Sequence, residues 1–492
     1  MFSNILWLSL GGALGYWLSG ELATWLLSWL TPTLGVVDAL LWTQLTQLVL
    51  LILLAFGLLQ LAKRQKTLHA LAGAVLLPLA VIVSWSGTLS LYRAELDLAL
   101  TPALTQARAV EIPAAQQLQL ALEWQQQQAP NAAQLYVEFA SARKPYLTLH
   151  LQQPGSWTLT RYWLQLPTDP AQAGLTALGS PQELTPGNSR HSVGELVFSL
   201  HYQLAGLLKS AAQPLLIGLS IALLALTLSG IYLLWQRRRQ AGTTQFFGRG
   251  PLRWHLAGAL LSLPWLCWYF GSALLTQYGN WAPELIKQHS AAYYQALFPT
   301  PLPQPIAATK ETATTFTRPE LSTLLDTPGW PVAKVQLDLT SGKWLLTEQP
   351  NWPQTAPYQL RQQSLNTQLQ VLPQADYWQS TPWSLRNLGY AAHQSLYAVP
   401  ALRVLLALGG VLVVLMLCGA AESYGRKQGW WLLALLRALT CGFVLATSLL
   451  ILLQLLRLSP SGLALLPQLG LCWAICTVAL TGWTWWQYRL QR

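Results

Sequence analysis

Seven histidines occur in 492 residues, and four of them stand at matched positions beside apolar runs. His69 and His255 each open such a run, while His201 and His393 each lie just ahead of one. His69 and His201 are 132 residues apart, and His255 and His393 are 138 apart. Ionisable side chains near membrane depth are costly and are usually kept for function. Neutral imidazoles supplied in pairs by facing helices are the axial ligands of b-type haem in a helix bundle. Pairing His69 with His255, and His201 with His393, therefore predicts two haem sites, one near each membrane surface.

Four glycines fit this arrangement. A helix rises about 1.5 Å per residue, so Gly87, 18 residues after His69, lies roughly 27 Å along the helix, at the depth of His201 and His393. Gly271 stands similarly beyond His255, and Gly230 and Gly419 return to the depth of His69 and His255. Each core helix then offers a ligand at one depth and a missing side chain at the other, where a flat macrocycle needs room against the backbone.

The elements that must hold these residues are membrane spans. The chain is 52% hydrophobic and 10% charged, with a mean hydropathy of +0.33, against about 25% charged residues in soluble domains. This excludes a soluble enzyme, a disordered chain and a secreted disulfide scaffold. Apolar runs near 4–29, 37–62, 68–91, 211–235, 254–276, 399–421, 430–456 and 462–487 predict about eight spans. Thr31-Pro32-Thr33 is read as a tight connection between the first two. Many of the 25 tryptophans lie near the run ends, as suits the lipid headgroup region. The net charge of +11 does not signal nucleic acid. The basic residues flank the runs, at Lys63, Arg64 and Lys66, at Arg237, Arg238, Arg239, Arg249 and Arg253, at Arg426 and Lys427, and at Arg489 and Arg492. The positive-inside rule then places both termini in the cytoplasm. The first run lacks a basic leader, so no cleaved signal peptide is expected.

Two long polar stretches fall on the other side. In the first, Ala114–Gln127 reads as a helix, and Leu135–Ala140, Tyr146–Leu151 and Trp157–Leu166 read as strands. In the second, Thr317–Leu325 reads as a helix, and Val335–Leu339, Lys343–Thr347 and Gln368–Leu372 as strands. The expected division is two N-terminal spans (1–67), a core span (68–91), an exterior α+β domain (92–210), two core spans joined by a basic loop (211–276), a second exterior α+β domain (277–398), the last core span (399–428) and two C-terminal spans (429–492). The unit from histidine through span, glycine, exterior domain and second histidine to the next span and glycine thus occurs twice, at about 68–240 and 254–428. A core four-helix bundle built by internal duplication follows.

The remaining chemistry-bearing residues are assigned lesser roles. His150 sits in a strand and is read as packing, and His191 and His289 are given no role, spare ligand or substrate contact being the minor reading of each. Cys267, Cys418, Cys441, Cys472 and Cys476 all fall in spans, and Cys472 and Cys476 share a helix face that makes a poor metal site. Arg437 is expected to snorkel to the cytoplasmic face. Gly11, Gly12 and Gly15 read as helix packing, and no dinucleotide fingerprint follows a strand, so the electron donor is quinol or a separate cytoplasmic protein.

Leu68-His69 through Ser86-Gly87 to Tyr92-Arg93 resembles the first helix of the PepSY-associated transmembrane family. Leu200-His201 through Ser229-Gly230-Ile-Tyr-Leu-Leu-Trp235 to Arg239 is similar to its second helix, and His255–Gly271 and His393–Gly419 to its third and fourth. The resemblance covers about 68–428 and implies two periplasmic PepSY-like domains, histidine-held haem and location in a bacterial inner membrane. It also implies an oxidoreductase that passes electrons to a ferric siderophore or other ferric chelate. The chain departs from the family pattern in its two extra spans on each side of the core. It also lacks the HR pair, since His69 is followed by Ala70, His201 by Tyr202 and His255 by Leu256.

The expectation is thus a di-haem b-type electron-transfer protein, with membrane lipid around it and no nucleic-acid partner. A haem-free membrane sensor or accessory protein, whose exterior domains bind a ligand or partner, is the alternative. A transporter fits less well, because the two repeats share one orientation and no span centre carries a polar cluster.

Overall fold

The structure is a computed structural model that describes residues 18, 21–22, 25–34, 36–61, 65–156, 158–168, 174–184, 192–208, 211–241, 251–277, 318–349, 361–372, 388–389, 393, 400–458 and 464–490. In chain order the elements named here are α1 (Val36–Leu61), α2 (Gln65–Ser90), α3 (Arg93–Leu100), α4 (Ala114–Gln128), β1 (Gln134–Glu138), β2 (Leu147–Gln152), β3 (Leu159–Gln165), β4 (Thr176–Ala177), β5 (Gln182–Leu184) and α5 (Val193–Gln203). They continue as α6 (Ala212–Ala241), α7 (Pro251–Gln277), α8 (Arg318–Asp326), β6 (Val332–Asp338), β7 (Lys343–Glu348), β8 (Gln362–Leu365), α9 (Pro400–Gln428), α10 (Trp430–Leu439), α11 (Cys441–Leu455) and α12 (Leu465–Leu490). The chain divides into a helical unit (Met1–Leu91, Val197–Leu297, Leu388–Arg492) and a sheet unit (Tyr92–Leu196, Phe298–Asn387).

Among the described residues, seven helical stretches are long and apolar enough to cross a membrane: Asp38–Gly57, His69–Ser90, Ala212–Arg239, His255–Thr276, Pro400–Gln428, Trp430–Leu455 and Leu465–Leu490. The run near 4–29 lies largely outside the described residues. Residues 25–34 are helical, so Thr31-Pro32-Thr33 is helix and not the tight connection expected. The Thr31 and Thr33 hydroxyls donate to the carbonyls of Leu27 (2.6 Å) and Leu30 (3.0 Å). The sixth stretch breaks at Thr440, whose φ of −103° and ψ of −77° interrupt the helical backbone between α10 and α11. Trp473 on α12 donates its indole N–H to the Ala438 carbonyl beside the break (2.8 Å), which satisfies a group that hydrocarbon could not.

The core of the helical unit is α2, α6, α7 and α9. Leu77, Val81, Leu219, Leu223, Leu266, Phe270, Val413 and Leu417 meet there in one buried cluster. Between membrane helices van der Waals contact is the main attraction, so close approach needs small residues. Gly409 and Gly410 of α9 provide it: a Cβ would lie 2.4 Å from Trp265 at Gly409 and 2.1 Å from Thr88 at Gly410. Tyr269 adds a hydrogen bond to the Leu406 carbonyl. The outer helices are tied on by polar clasps. Trp85 of α2 donates to the Thr447 hydroxyl on α11 (2.7 Å). Arg437 of α10 reaches the helix ends read as cytoplasmic and is paired there. It is only 11% exposed at its side chain, grips Glu422 of α9 through two bonds (2.7 and 2.6 Å) and reaches Thr484 (3.0 Å) and Gln487 (3.1 Å) on α12. Glu422 also accepts from Arg426 (2.6 Å), so this carboxylate at the helix-bundle end is paired with two cations.

In the sheet unit the strands run β4-β3-β2-β1-β6-β7-β8, with β5 also on β3. The expectation of two separate α+β domains needs correction here. β1 from the first stretch pairs antiparallel with β6 from the second, matching Leu135 with Leu337 and Val137 with Val335, so both stretches build one sheet. Each half repeats helix, strand, strand, strand (α4-β1-β2-β3 and α8-β6-β7-β8), and each alone would leave its first strand as an open edge. Alternation sends Leu135, Val137, Leu147, Leu149, Leu151, Val335, Leu337, Trp344 and Leu346 into one core with Leu118, Ala121 and Leu122 of α4 and Leu321 and Leu324 of α8. The last strand lies earlier than Gln368–Leu372: it is Gln362–Leu365, because Asn366 accepts the N–H groups of Gln368 (3.0 Å) and Gln370 (2.9 Å) and turns the chain.

The start of α5 is locked to this sheet. Arg161 of β3 pairs with buried Glu195 and with Gln182, and Arg93 also reaches Glu195 (3.4 Å). Asp97 of α3 accepts the Gly194 N–H (2.9 Å).

His150 lies on β2 opposite Tyr136 and Arg161. Burial pushes its pKa down to about 4; Arg161, Lys334 and Lys144 push the same way and Glu138 opposes them. A histidine neutral in the fold but titrating at about 6.5 when unfolded contributes stability that is full above pH 6.5 and is lost as pH falls towards 4, by up to about 3 kcal/mol. Asp97, raised by burial to about 6, acts in the opposite sense over part of that interval. Comparison of H150Q with the parent isolates the histidine. Thermal midpoints of the full chain in detergent at pH 7.5 and 5 should fall less in H150Q, and an equal fall would contradict the assignment.

Candidate functional site

The four matched histidines all belong to the helical unit. His69 stands in the first turns of α2, and His255 in the first turns of α7. His201 is not simply the leader of α6. It rides near the end of a separate helix, α5, and the chain then passes through Leu204 (φ 50°) and Ala205 (φ 55°) before α6 begins. Two non-glycine residues in the left-handed region carry a conformational cost that the surrounding structure must hold in place. Both are buried. His393 lies ahead of α9, on helical backbone.

His201 and His393 meet. Their Nε2 atoms are 3.0 Å apart and their ring planes differ by 18°. The centroids are 5.3 Å apart, and the 2.3 Å by which this exceeds the Nε2 separation is twice the radius of about 1.15 Å of a five-membered ring with bonds near 1.35 Å. The imidazoles therefore point head-on at each other through Nε2 rather than stacking face to face.

The other ring nitrogens are tied back. His201 Nδ1 lies 2.9 Å from the Val83 carbonyl, which can only accept, so the proton of this ring is on Nδ1 and Nε2 carries a lone pair. His393 Nδ1 lies 3.0 Å from the Ser272 hydroxyl, which is itself 3.2 Å from the Tyr269 carbonyl. With nothing between the rings, the His393 proton sits on Nε2 and bridges to His201, and Ser272 donates to Nδ1. A cation between the rings would require the His393 proton on Nδ1, and Ser272, with the Tyr269 carbonyl 3.2 Å away to take its hydrogen, could accept it.

The other pair is built on the same plan. His69 Nδ1 lies 3.3 Å from the Ser229 hydroxyl on α6, and His255 Nδ1 lies 3.5 Å from the Met416 carbonyl on α9. His255 lies within electrostatic reach of His69. Neither Nε2 has a hydrogen-bond partner among the described residues. Each histidine is thus anchored within its own repeat: His69 and His201 to Ser229 and Val83, His255 and His393 to Met416 and Ser272. Between histidines of different repeats, the contact seen is His201 Nε2 to His393 Nε2.

The glycines sit against these histidines, and one of them differently from the expectation of room for a macrocycle. A Cβ on Gly87 would lie 2.7 Å from both Cε1 and Nδ1 of His201, so the space it leaves is filled by the imidazole. At Gly230 a Cβ would be 3.5 Å from His69 Cε1, and at Gly419 it would be 3.8 Å from the His255 backbone. At Gly271 nothing lies within 4 Å.

His191 and His289 lie outside the described residues. Arg93 is engaged by Asp97 (3.9 Å) and Glu195. No group of three or more metal-ligating side chains exists among the described residues, and the five cysteines are free thiols. Sequence reading missed Ser229 and Ser272; their signal was adjacency to Gly230 and Gly271. Val83 and Met416 act through backbone carbonyls and leave no signal in the side-chain sequence.

No curated protein matches the chain. Residues 66–420, which hold all four histidines and both halves of the sheet, match the family described as the PepSY-associated TM region. The chain is a multi-pass membrane protein and belongs to the PepSY-associated transmembrane family.

Proposed function

We propose that this protein is a di-haem b-type electron carrier of a bacterial inner membrane that delivers electrons to ferric siderophores or other ferric chelates in the periplasm. The observation that carries this reading is the head-on approach of the His201 and His393 Nε2 atoms with both Nδ1 atoms anchored. His201 and His393 would suit a haem iron because each turns an Nε2 towards the same point and has an outer hydrogen-bond partner on Nδ1 that fixes its tautomer. Two imidazoles so placed and anchored are the donor set a haem iron takes, so the residues fit the group.

His201 and His393 would hold one haem, and His69 and His255 the other. The haem supplies one-electron redox chemistry when bound. The protein's part is to hold the four lone pairs at fixed depths, keep each Nδ1 proton on Ser229, Ser272, Val83 or Met416, and exclude water with the apolar core. Ferric iron in the chelate gains one electron, and the ferrous product is held less well by hard oxygen ligands. Basic residues beside the spans orient the His69 and His255 end to the cytoplasm, where quinol or a separate protein donates.

The test is haem quantification and ferric reduction on the purified full chain. Two haems per chain are expected, with reduced-minus-oxidised b-type bands that are lost when a ferric chelate is added anaerobically. A protein purified from haem-replete cells without such bands is instead the haem-free sensor or accessory module.

A further inference from the structure

The two histidine pairs share one chemistry but not one geometry. Each pair sets one serine hydroxyl and one backbone carbonyl beside its Nδ1 atoms, and with haem iron on Nε2 all four would accept from Nδ1–H. At His201 and His393 these bonds are 2.9 and 3.0 Å; at His69 and His255 they are 3.3 and 3.5 Å. The first two are ordinary hydrogen bonds, whereas the last is at the margin of being one. An acceptor on Nδ1–H draws the proton away from the ring, makes Nε2 more basic and favours the ferric over the ferrous state.

Resting on the haem reading above, we propose that Ser272 is a positioning residue that sets the potential of the His201/His393 haem and makes it the lower-potential, more strongly reducing centre of the two. Ser272 is suited to this because its hydroxyl has a second acceptor, Tyr269, 3.2 Å away. That outlet orients the oxygen lone pairs towards His393 and lets the serine receive the Nδ1 proton's hydrogen bond. The side chain is buried, so water does not substitute for it. Ser229, at 3.3 Å from His69, holds the same place in the other repeat with a longer bond.

Spectroelectrochemical titration of the full chain in detergent tests this. The wild type should show two waves, and H201A should lose the lower one, which assigns it to the His201/His393 pair. S272A should shift the lower wave to higher potential and leave the upper wave in place. S229A should shift only the upper wave, and by less. S272C, a weaker acceptor in the same position, should give an intermediate shift, and it carries the test should S272A lose its haem. Unmoved waves in S272A or S272C, or loss of the upper wave in H201A, would overturn the proposal while leaving the two-haem reading intact. A wild type with no haem bands would overturn both.

Discussion

Alanine at His201 is expected to reduce haem content from two per chain to one and to abolish reduction of ferric chelates. H393A should do the same, because the two imidazoles approach a single point between their Nε2 atoms. Loss of an outer-shell partner commonly costs about 10–100-fold in metal affinity, so loss of a ligand itself should cost more than about 100-fold. The double variant H201A/H393A should contain no less haem than either single variant, since residues acting as one unit are not additive. H69A or H255A should remove the other haem and leave the first spectrum unchanged. Pyridine haemochrome assays and difference spectra read these outcomes. Two haems in H201A would reject the pairing.

The second large effect is expected from the smallest substitution. G87A adds one methyl group, yet its carbon would lie 2.7 Å from two atoms of the His201 ring. The ring cannot step aside cheaply. Its Nδ1 is bound to the Val83 carbonyl one helical turn before Gly87, and it lies on a helix followed by the left-handed Leu204 and Ala205. Overpacking of this kind costs about 1–3 kcal/mol. Here the cost falls on the ligand itself, so G87A should lose the His201/His393 haem and keep the other. G470A, on the outer helix α12, is the control, because no atom lies within 4 Å of the added carbon. It should keep both haems. Equal haem content in G87A and G470A would contradict the contact, and haem analysis with thermal melts on both variants decides.

Much of this was legible before any coordinates, and the reason is scale. The duplication, the spans and the matched histidines are properties of order and spacing along the chain. Membrane helices convert spacing directly into depth, which is why His69 and Gly87 could be set at opposite ends of one helix from residue counts alone. The two helices predicted at 114–127 and 317–325 and the strands that follow each likewise come from local periodicity. Strand exchange between the two stretches does not. β1 and β6 pair across some two hundred residues, and each carries the same alternation whether its neighbour is in its own half or the other.

The finer parts of the site were decided only by tertiary structure. Whether Arg437 meets water or Glu422 depends on where α9 passes, and whether Gly87 makes room for a macrocycle or for an imidazole depends on how α5 approaches α2. The amino-acid sequence determined that four imidazoles and four glycines would stand at two depths in a duplicated bundle. Folding alone decided that His201 and His393 face each other through Nε2, with Val83, Ser272, Ser229 and Met416 behind the four rings. Ring direction is set by backbone dihedrals and by carbonyls on other helices, and neither is written in residue type or spacing.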